Sequence, residues 1–117
     1  MVTKDRISDP PLSAAALHIL LSLAGRELHG YGILQEILRE SEGRFRIGPG
    51  TLYDNLQRHL ERGLVEECTD HPESDPRRRY YRLTSDGEEI LALEMKHLDT
   101  ALRTAKARMR RVHSGAK

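Results

Sequence analysis

Apolar side chains recur every three or four residues in the first third of the chain, which predicts two helices. The first helix follows a capping serine, Ser13, and stops near Gly25. The second runs from about Tyr31 to Ser41 and is ended by Gly43. The segment between them, RELHGYG, is predicted to be a turn. The inward positions are Ala16, Ile19, Leu20 and Leu23 in the first helix and Ile33, Leu34, Ile37 and Leu38 in the second.

A third amphipathic helix is predicted within RIGPGTLYDNLQRHLERGLVEE, residues 46–67. Pro49 suits the first helical position, Thr51 and Asp54 have the spacing of a capping box, and Gly63 ends the helix. Its inward stripe is predicted to be Leu52, Leu56, Leu60 and Leu64. The opposite stripe is then Thr51, Asn55, Arg58 and Arg62, with Asp54 and Gln57 beside it.

Two short strands and a fourth helix follow. LVEECT and RRYYRLT flank the polar loop DHPESDPR, so they predict a β-hairpin with a long exposed tip. The last helix begins at TSDGEE, where Ser85 and Glu88 have the spacing of a capping box and Asp86 suits the positive helix N-terminus.

The last helix carries apolar residues that step alternately by four and three, which is heptad spacing. A helix of some twenty-five residues cannot bury such a stripe against so small a body along its whole length. A partner chain is the simplest cover, and the stripe therefore predicts dimerisation through Leu91, Met95, Leu98, Leu102, Ala105 and Met109, with Val112 continuing the pattern.

Composition narrows the class of protein. The chain has 117 residues and a net charge of +1, which suits one domain but does not by itself indicate a nucleic-acid binder. Its single cysteine permits no intramolecular disulfide, no apolar run is long enough for a membrane helix, and residues 1–11 lack the apolar centre of a secretory signal. These features predict a cytoplasmic protein with a flexible arm (1–11), a main domain (12–84) and a C-terminal helix with a basic tail (85–117).

The order of three helices followed by a hairpin predicts a mainly α fold, a winged helix-turn-helix with a long C-terminal dimerisation helix. In such folds the third helix enters the major groove and the wing lies beside it. Asn and Gln side chains recognise adenine, Arg recognises guanine, and the Arg77–Arg79 run suits phosphates. Two alternatives remain open from the residues alone: an ordinary solvated face, and a winged-helix module that binds an acidic protein partner.

The segments LHGYGILQEI, GPGTLYDNLQRHLERGLVEE and RRRYYRLTSDG resemble the PadR family of bacterial transcriptional regulators. The resemblance implies a winged-helix DNA-binding domain, a homodimer held by the C-terminal helix, and repression of nearby promoters. The two-fold symmetry of such a dimer then predicts an inverted-repeat operator. It also permits a small-molecule effector between the dimer halves, although the sequence identifies none. Together with the residue patterns, it gives these candidate contacts to double-stranded DNA: Tyr31, Gly50, Thr51, Tyr53, Asn55, Gln57, Arg58, Arg62, Arg77, Arg78 and Arg79.

One position departs from the family pattern. His59 stands where a leucine is common, and we expect it at the edge of the core, either as a packing residue or as a group that titrates near physiological pH. Cys68 and His71 have a C-x-x-H spacing without a second pair, so no metal site is predicted. We expect no cofactor and no enzymatic activity, since no catalytic constellation is visible in the sequence.

Overall fold

The computed structural model describes residues 11–69 and 79–115. The predicted arm, apart from residue 11, and the tip of the predicted hairpin lie outside these ranges. The elements in chain order are α1 (Ala14–Ser22), β1 (Leu28–His29), α2 (Gly30–Glu40), α3 (Pro49–Glu61), β2 (Val65–Cys68), β3 (Tyr80–Leu83) and α4 (Ser85–Gly115).

The helix starts follow local capping chemistry, with two corrections. Ser13 caps α1, because its hydroxyl accepts a hydrogen bond of 3.1 Å from the Ala16 N–H. The capping box predicted at Thr51 is wrong, since α3 starts earlier, at Pro49, and has no side-chain cap. The cap predicted at Ser85 is displaced by one residue: Thr84 Oγ1 accepts a hydrogen bond of 3.0 Å from the Gly87 N–H.

The sheet has three strands, although only a hairpin was predicted. Leu28 and His29, which were predicted to lie in a turn, form β1 and pair antiparallel with Tyr81 and Tyr80 of β3. The strand order is β1-β3-β2, so β3 is central. His29 also begins α2, where its Nδ1 accepts a hydrogen bond of 3.1 Å from the Gly32 N–H. The strand escaped prediction because two residues are too few to show a period of two.

One apolar core joins the helices to the sheet. It contains Ile19, Leu20, Leu23, Ile33, Ile37, Leu52, Leu56, Leu64, Val65, Tyr81, Ile90 and Leu91. The last two members come from the beginning of α4, which is therefore part of the domain. Leu91 was predicted to lie in the dimerisation stripe, and this placement is wrong, since its side chain is only 4% exposed within its own domain. The remaining stripe positions, from Met95 onward, are exposed.

Two arginines tie the elements together at the surface. Arg26, after α1, reaches Glu36 and Glu40 of α2 at 3.1 and 2.7 Å. Arg82 of β3 reaches Glu66 of β2 at 2.8 Å and Glu27, just before β1, at 3.1 Å, so one guanidinium spans the sheet. Hydrogen bonds to these two carboxylates raise the pKa of Arg82.

Candidate nucleic-acid interface

The inward face of α3 differs from the prediction by a rotation. Its buried residues are Leu52, Asn55, Leu56 and His59, whereas Leu60 is only half-buried. A run of leucines spaced by four cannot stay on one face, because each such step overshoots a full turn by about 40°. The face that meets the core therefore alternates steps of three, one and three, and it includes two polar residues.

Asn55 is consequently corrected as a candidate base-reading residue. Its side chain is 7% exposed, and its Nδ2 donates a hydrogen bond of 2.8 Å to the carbonyl oxygen of Thr51. That bond satisfies a polar group in the interior of the domain. Asn55 therefore acts in the packing of α3 and does not lie on its outward face.

The outward face of α3 presents most of the other candidates. Thr51, Tyr53, Gln57, Arg58 and Arg62 are all exposed, as is Gly50 in the first turn. The face is mixed in charge, since Asp54 and Glu61 are also exposed, and Gln57 Nε2 donates a hydrogen bond of 3.1 Å to Glu61. Arg58 is thus the central cation of this face, and Arg62 stands where the helix ends.

Tyr53 of α3 lies against the start of α2, where Tyr31 is the next residue after the contact. Tyr31 is 65% exposed in the first turn of α2, and Tyr53 of α3 is 52% exposed. The Tyr53 hydroxyl lies over Gly30, the residue before Tyr31, so closely that a Cβ at Gly30 would overlap it and would lie 3.0 Å from Tyr53 Cζ. Glycine at this position therefore lets Tyr53 of α3 pack against the first turn of α2.

We expect Gly30→Ala to displace the Tyr53 ring and to weaken DNA binding, with little loss of folding stability. The overlap involves only the end of a side chain that is already half exposed, so the ring can swing outward. DNA titrations and thermal unfolding check both parts. Gly32→Ala is the matched control in the same helix, because its Cβ would meet neighbours at ordinary distances of 3.5 Å or more. Equal DNA affinity of the two variants would contradict the role given to Gly30.

Of the predicted phosphate-contacting run Arg77–Arg79 on the wing, Arg79 lies within the described residues. Arg79 is exposed, and its Nε lies 3.3 Å from a carboxylate oxygen of Glu67, so part of its charge is already balanced. Arg77 and Arg78 lie outside the described residues. Arg82, which follows on β3, is held by two carboxylates in the sheet and serves the fold.

Two exposed arginines near the start of α3 were not among the predicted DNA-contacting residues. Arg44 and Arg46 are exposed in the link that leads into α3, two residues apart and on either side of the half-buried Phe45. Phe45 is fixed by a stacking contact with His18 of α1, with ring centroids 4.4 Å apart. The alternation of charged and apolar residues in RFRI was visible in the sequence, but it suggested only an extended link.

His59 is deeply buried and not at the edge of the core. Its side chain is 3% exposed, and neither ring nitrogen has a hydrogen-bond partner among the residues that the structure describes. Burial, together with the nearby charges of Arg62 and Arg58, lowers the pKa of His59 to about 4. The imidazole is therefore neutral at physiological pH, which corrects the alternative that it titrates there and leaves the role of a packing residue.

Other chemistry is sparse in the described residues. Cys68 is buried at the end of β2, and His71, the second residue of the C-x-x-H spacing, lies outside the described ranges. Within residues 11–69 and 79–115, no three His, Cys, Asp or Glu side chains come together as a metal site. Among the helices of these ranges, none combines the length and the apolar content needed to cross a membrane.

The helices, the three-stranded sheet and the outward face of α3 define a winged-helix DNA-binding protein. The chain belongs to the PadR-like family of transcriptional regulators, whose family model matches residues 19–93. The predicted family and fold class are thereby confirmed. The family consists of regulators that bind DNA and not of enzymes.

Individual relatives agree with this assignment. The chain is 36% identical to the transcriptional regulator Rv3488 of Mycobacterium tuberculosis over 92 residues, which cover 78% of this chain and 81% of the relative. Its fold is similar to that of a PadR family transcription regulator from Clostridium difficile, with a TM-score of 0.69, 23% identity and coverage of 83% and 99%. It is also similar to Bacillus subtilis PadR in a complex with operator DNA, with a TM-score of 0.59, 22% identity and coverage of 68% and 45%.

Proposed function

We propose that this regulator is a homodimeric repressor that recognises an inverted-repeat operator. The observation that carries the proposal is the outward face of α3, which presents Thr51, Tyr53 and Arg58 while the opposite face is buried in the core. In this proposal residues 12–84 form the DNA-binding domain. Residues 85–117 form the dimerisation helix and its basic tail, and the first turns of that helix complete the core.

The proposed DNA contacts fall into two groups, those made to bases and those made to the sugar-phosphate backbone. Arg58 has the donor geometry that reads guanine in the major groove, and Thr51 and Tyr53 lie on the same exposed face. The peptide N–H groups at Gly50 and Thr51 lie at the start of α3, where a phosphate is favoured. Arg44 and Arg46 before the helix and Arg79 on the wing supply charges for the sugar-phosphate backbone.

The apolar stripe of α4 supports the dimer. Met95, Leu98, Leu102 and Met109 are each about half exposed, which is unusual for large apolar side chains spaced along one helix face. Two reading helices related by a two-fold axis require two inverted half-sites, about 34 Å apart for adjacent turns of the major groove. A dimer bound over a promoter then represses by occupying it.

Among its described residues, the distal half of α4 offers no enclosed site for a small-molecule effector. The open surface around Ala105, Met109 and Arg110 is lined by described residues of this one helix alone. We therefore assign the apolar part of this surface to dimerisation and place no effector there.

We expect Arg58→Ala to reduce base discrimination at one operator position by roughly 5- to 150-fold, equivalent to the loss of about 1–3 kcal/mol of specific recognition. Arg79→Ala should instead weaken binding to all sequences alike and lower the salt slope of log K by about 1. Genome-wide mapping of bound sites first supplies the operator. Electrophoretic titrations of operator and scrambled DNA at several salt concentrations then measure both effects.

Arg39→Ala is the charge-matched control, since Arg39 lies in the last turn of α2, away from Tyr31, and pairs with Glu36. It should leave both the base preference and the salt slope unchanged. Equal affinity of the parent protein for operator and scrambled DNA would contradict sequence-specific repression and would favour the protein-interaction alternative.

A further inference from the structure

His29 lies where the wing, formed by β2 and β3, meets the helices. It is the last residue of β1, and α2 begins at the next residue, Gly30, so the strand passes directly into the helix. Across the sheet His29 pairs with Tyr80 of β3. The Tyr53 hydroxyl of α3 lies over Gly30. Three elements that carry proposed DNA contacts are therefore joined within two successive residues.

The imidazole of His29 makes two contacts with different elements. Its Nδ1 accepts a hydrogen bond of 3.1 Å from the Gly32 N–H, which caps the start of α2. Its ring meets Tyr80 edge-on, with ring centroids 5.3 Å apart and an interplanar angle of 84°. Such pairs attract each other, because the positive edge of one ring meets the negative face of the other. One side chain thus holds both the first turn of α2 and the central strand of the sheet.

A helix cap alone would not need an imidazole. Ser13 caps α1 through a hydroxyl that accepts a hydrogen bond of the same length, 3.1 Å. Small polar side chains are the usual residues at this position. The ring atoms by which His29 exceeds such a cap are those in contact with Tyr80. The ring therefore has a role of its own, which is to hold β3.

The wing is held to β1 at both ends of their short pairing. At one end, Arg82 of β3 forms an ion pair of 3.1 Å with Glu27, just before β1. At the other end lies the contact between the rings of His29 and Tyr80. Arg79 directly precedes Tyr80 and is exposed. The position of the Arg79 backbone therefore depends on how firmly Tyr80 is held.

We propose that His29 is a positioning residue for DNA recognition. Its ring holds the wing so that Arg79 meets a phosphate, and its Nδ1 orders the first turn of α2, where Tyr31 is exposed. This inference rests on the DNA-binding role proposed above and names the residue that fixes two of the DNA contacts relative to each other. Groups that are fixed before binding lose less conformational entropy on binding, so both contacts contribute more affinity.

Two substitutions separate the two contacts of His29. His29→Asn keeps a side-chain acceptor suited to a helix start and removes the ring. We expect it to weaken binding to operator and scrambled DNA alike by about two- to tenfold, the range of one edge-to-face aromatic contact, and to lower the salt slope of log K by about 1. His29→Phe keeps a ring for Tyr80 and removes the acceptor. It should lower operator affinity by a similar factor at an unchanged salt slope, because Tyr31 is uncharged.

A double variant distinguishes positioning from a general effect on folding. If the ring acts through Arg79, adding His29→Asn to Arg79→Ala should change the affinity by less than about twofold, since the phosphate contact is already lost. His97→Asn, at an exposed position of α4, is the matched control and should leave both affinity and salt slope as in the parent. Losses that multiply in the double variant, or a parent salt slope in a folded His29→Asn protein, would overturn the proposal.

NMR of the parent chain bound to operator DNA detects the ring contact directly, whether or not the variants fold. Cross-relaxation between the ring protons of His29 and Tyr80 should persist in the complex, and its absence would overturn the proposal. The proposed function fails separately: an unchanged salt slope for Arg79→Ala would contradict the wing contact itself. A lower slope for Arg79→Ala but not for His29→Asn would overturn only the positioning by His29.

Discussion

Replacing Gly87 by alanine should lower the free energy of unfolding by about 1–3 kcal/mol, the usual cost of forcing extra atoms into a packed site. Gly87 is buried in the first turn of α4. A Cβ there would overlap the carbonyl oxygen of Leu64 and would lie 3.0 Å from the Leu64 carbonyl carbon. Because the obstacle is backbone, it cannot turn away as a side chain would.

The same change should also impair DNA binding. The junction around Gly87 holds α4 to the end of α3: Thr84 N–H donates to the Leu64 carbonyl at 3.1 Å, and Thr84 Oγ1 donates to the Gly63 carbonyl at 2.6 Å. Gly87 N–H in turn donates to Thr84 Oγ1. A shift of α4 away from Leu64 breaks this set of bonds and changes the angle between the reading helix and the dimerisation helix.

Two measurements check the effect of Gly87→Ala: urea unfolding and titration with operator DNA. The unfolding curves are compared at one fixed protein concentration, because dimerisation makes the free energy of unfolding depend on concentration. Gly50→Ala is the matched control for the unfolding measurement, because no atom of the described residues lies within 4 Å of its Cβ position in the first turn of α3. It should be neutral or up to about 1 kcal/mol more stable, as expected when alanine replaces glycine in a helix. Identical unfolding midpoints for the two variants would contradict the close packing inferred at Gly87.

His59→Leu should make the protein more stable at neutral pH and should remove a loss of stability in acid. At neutral pH the change eliminates two buried nitrogens that have no hydrogen-bond partner, which we expect to contribute about 1–3 kcal/mol. A leucine also suits a site whose neighbours on the same face, Leu52 and Leu56, are apolar and buried.

The acid effect follows from the lowered pKa of His59. The pKa is about 4 in the folded chain against 6.5 for the free side chain, so the unfolded chain binds the proton more readily. The His59 contribution to stability is therefore constant above about pH 6.5 and falls as the pH decreases towards 4, by about 3 kcal/mol in all. Below pH 4 both states are protonated and the contribution stays level.

Urea unfolding at several pH values between 4 and 7.5 gives the difference between parent and His59→Leu. That difference should grow as the pH falls. His97→Gln, at an exposed position of α4, is the control and should follow the parent curve. A constant difference between parent and His59→Leu at all these pH values would contradict a neutral buried imidazole. Above pH 6.5, operator binding by the two proteins should share one pH dependence.

The candidate DNA-binding residues divide into those that local sequence predicts and those that it cannot. Arg58 and Thr51 were predicted to lie outward and do so, because the inward leucines Leu52 and Leu56 fix the opposite face. Asn55 was predicted to be exposed because it is polar. In the structure its position on α3 faces the core, and its side-chain amide donates a hydrogen bond to a backbone carbonyl oxygen. A polar residue can lie inside when a hydrogen-bond partner is within reach, and the Thr51 carbonyl of the same helix is such a partner. What turns the Asn55 position towards the core is the packing of α3 against residues far away in the chain.

The sequence by itself determined the start of α1 at the Ser13 cap, the first-turn proline of α3 and the heptad spacing of α4, since these features act through neighbours a few residues away. Only the tertiary structure decided what depends on distant neighbours. It made Leu28 and His29 a strand through pairing with Tyr81 and Tyr80, and it buried Leu91 in the domain while leaving Met95 exposed. The physical reason is that strand pairing and burial are contacts between residues far apart in the chain, which no local period contains.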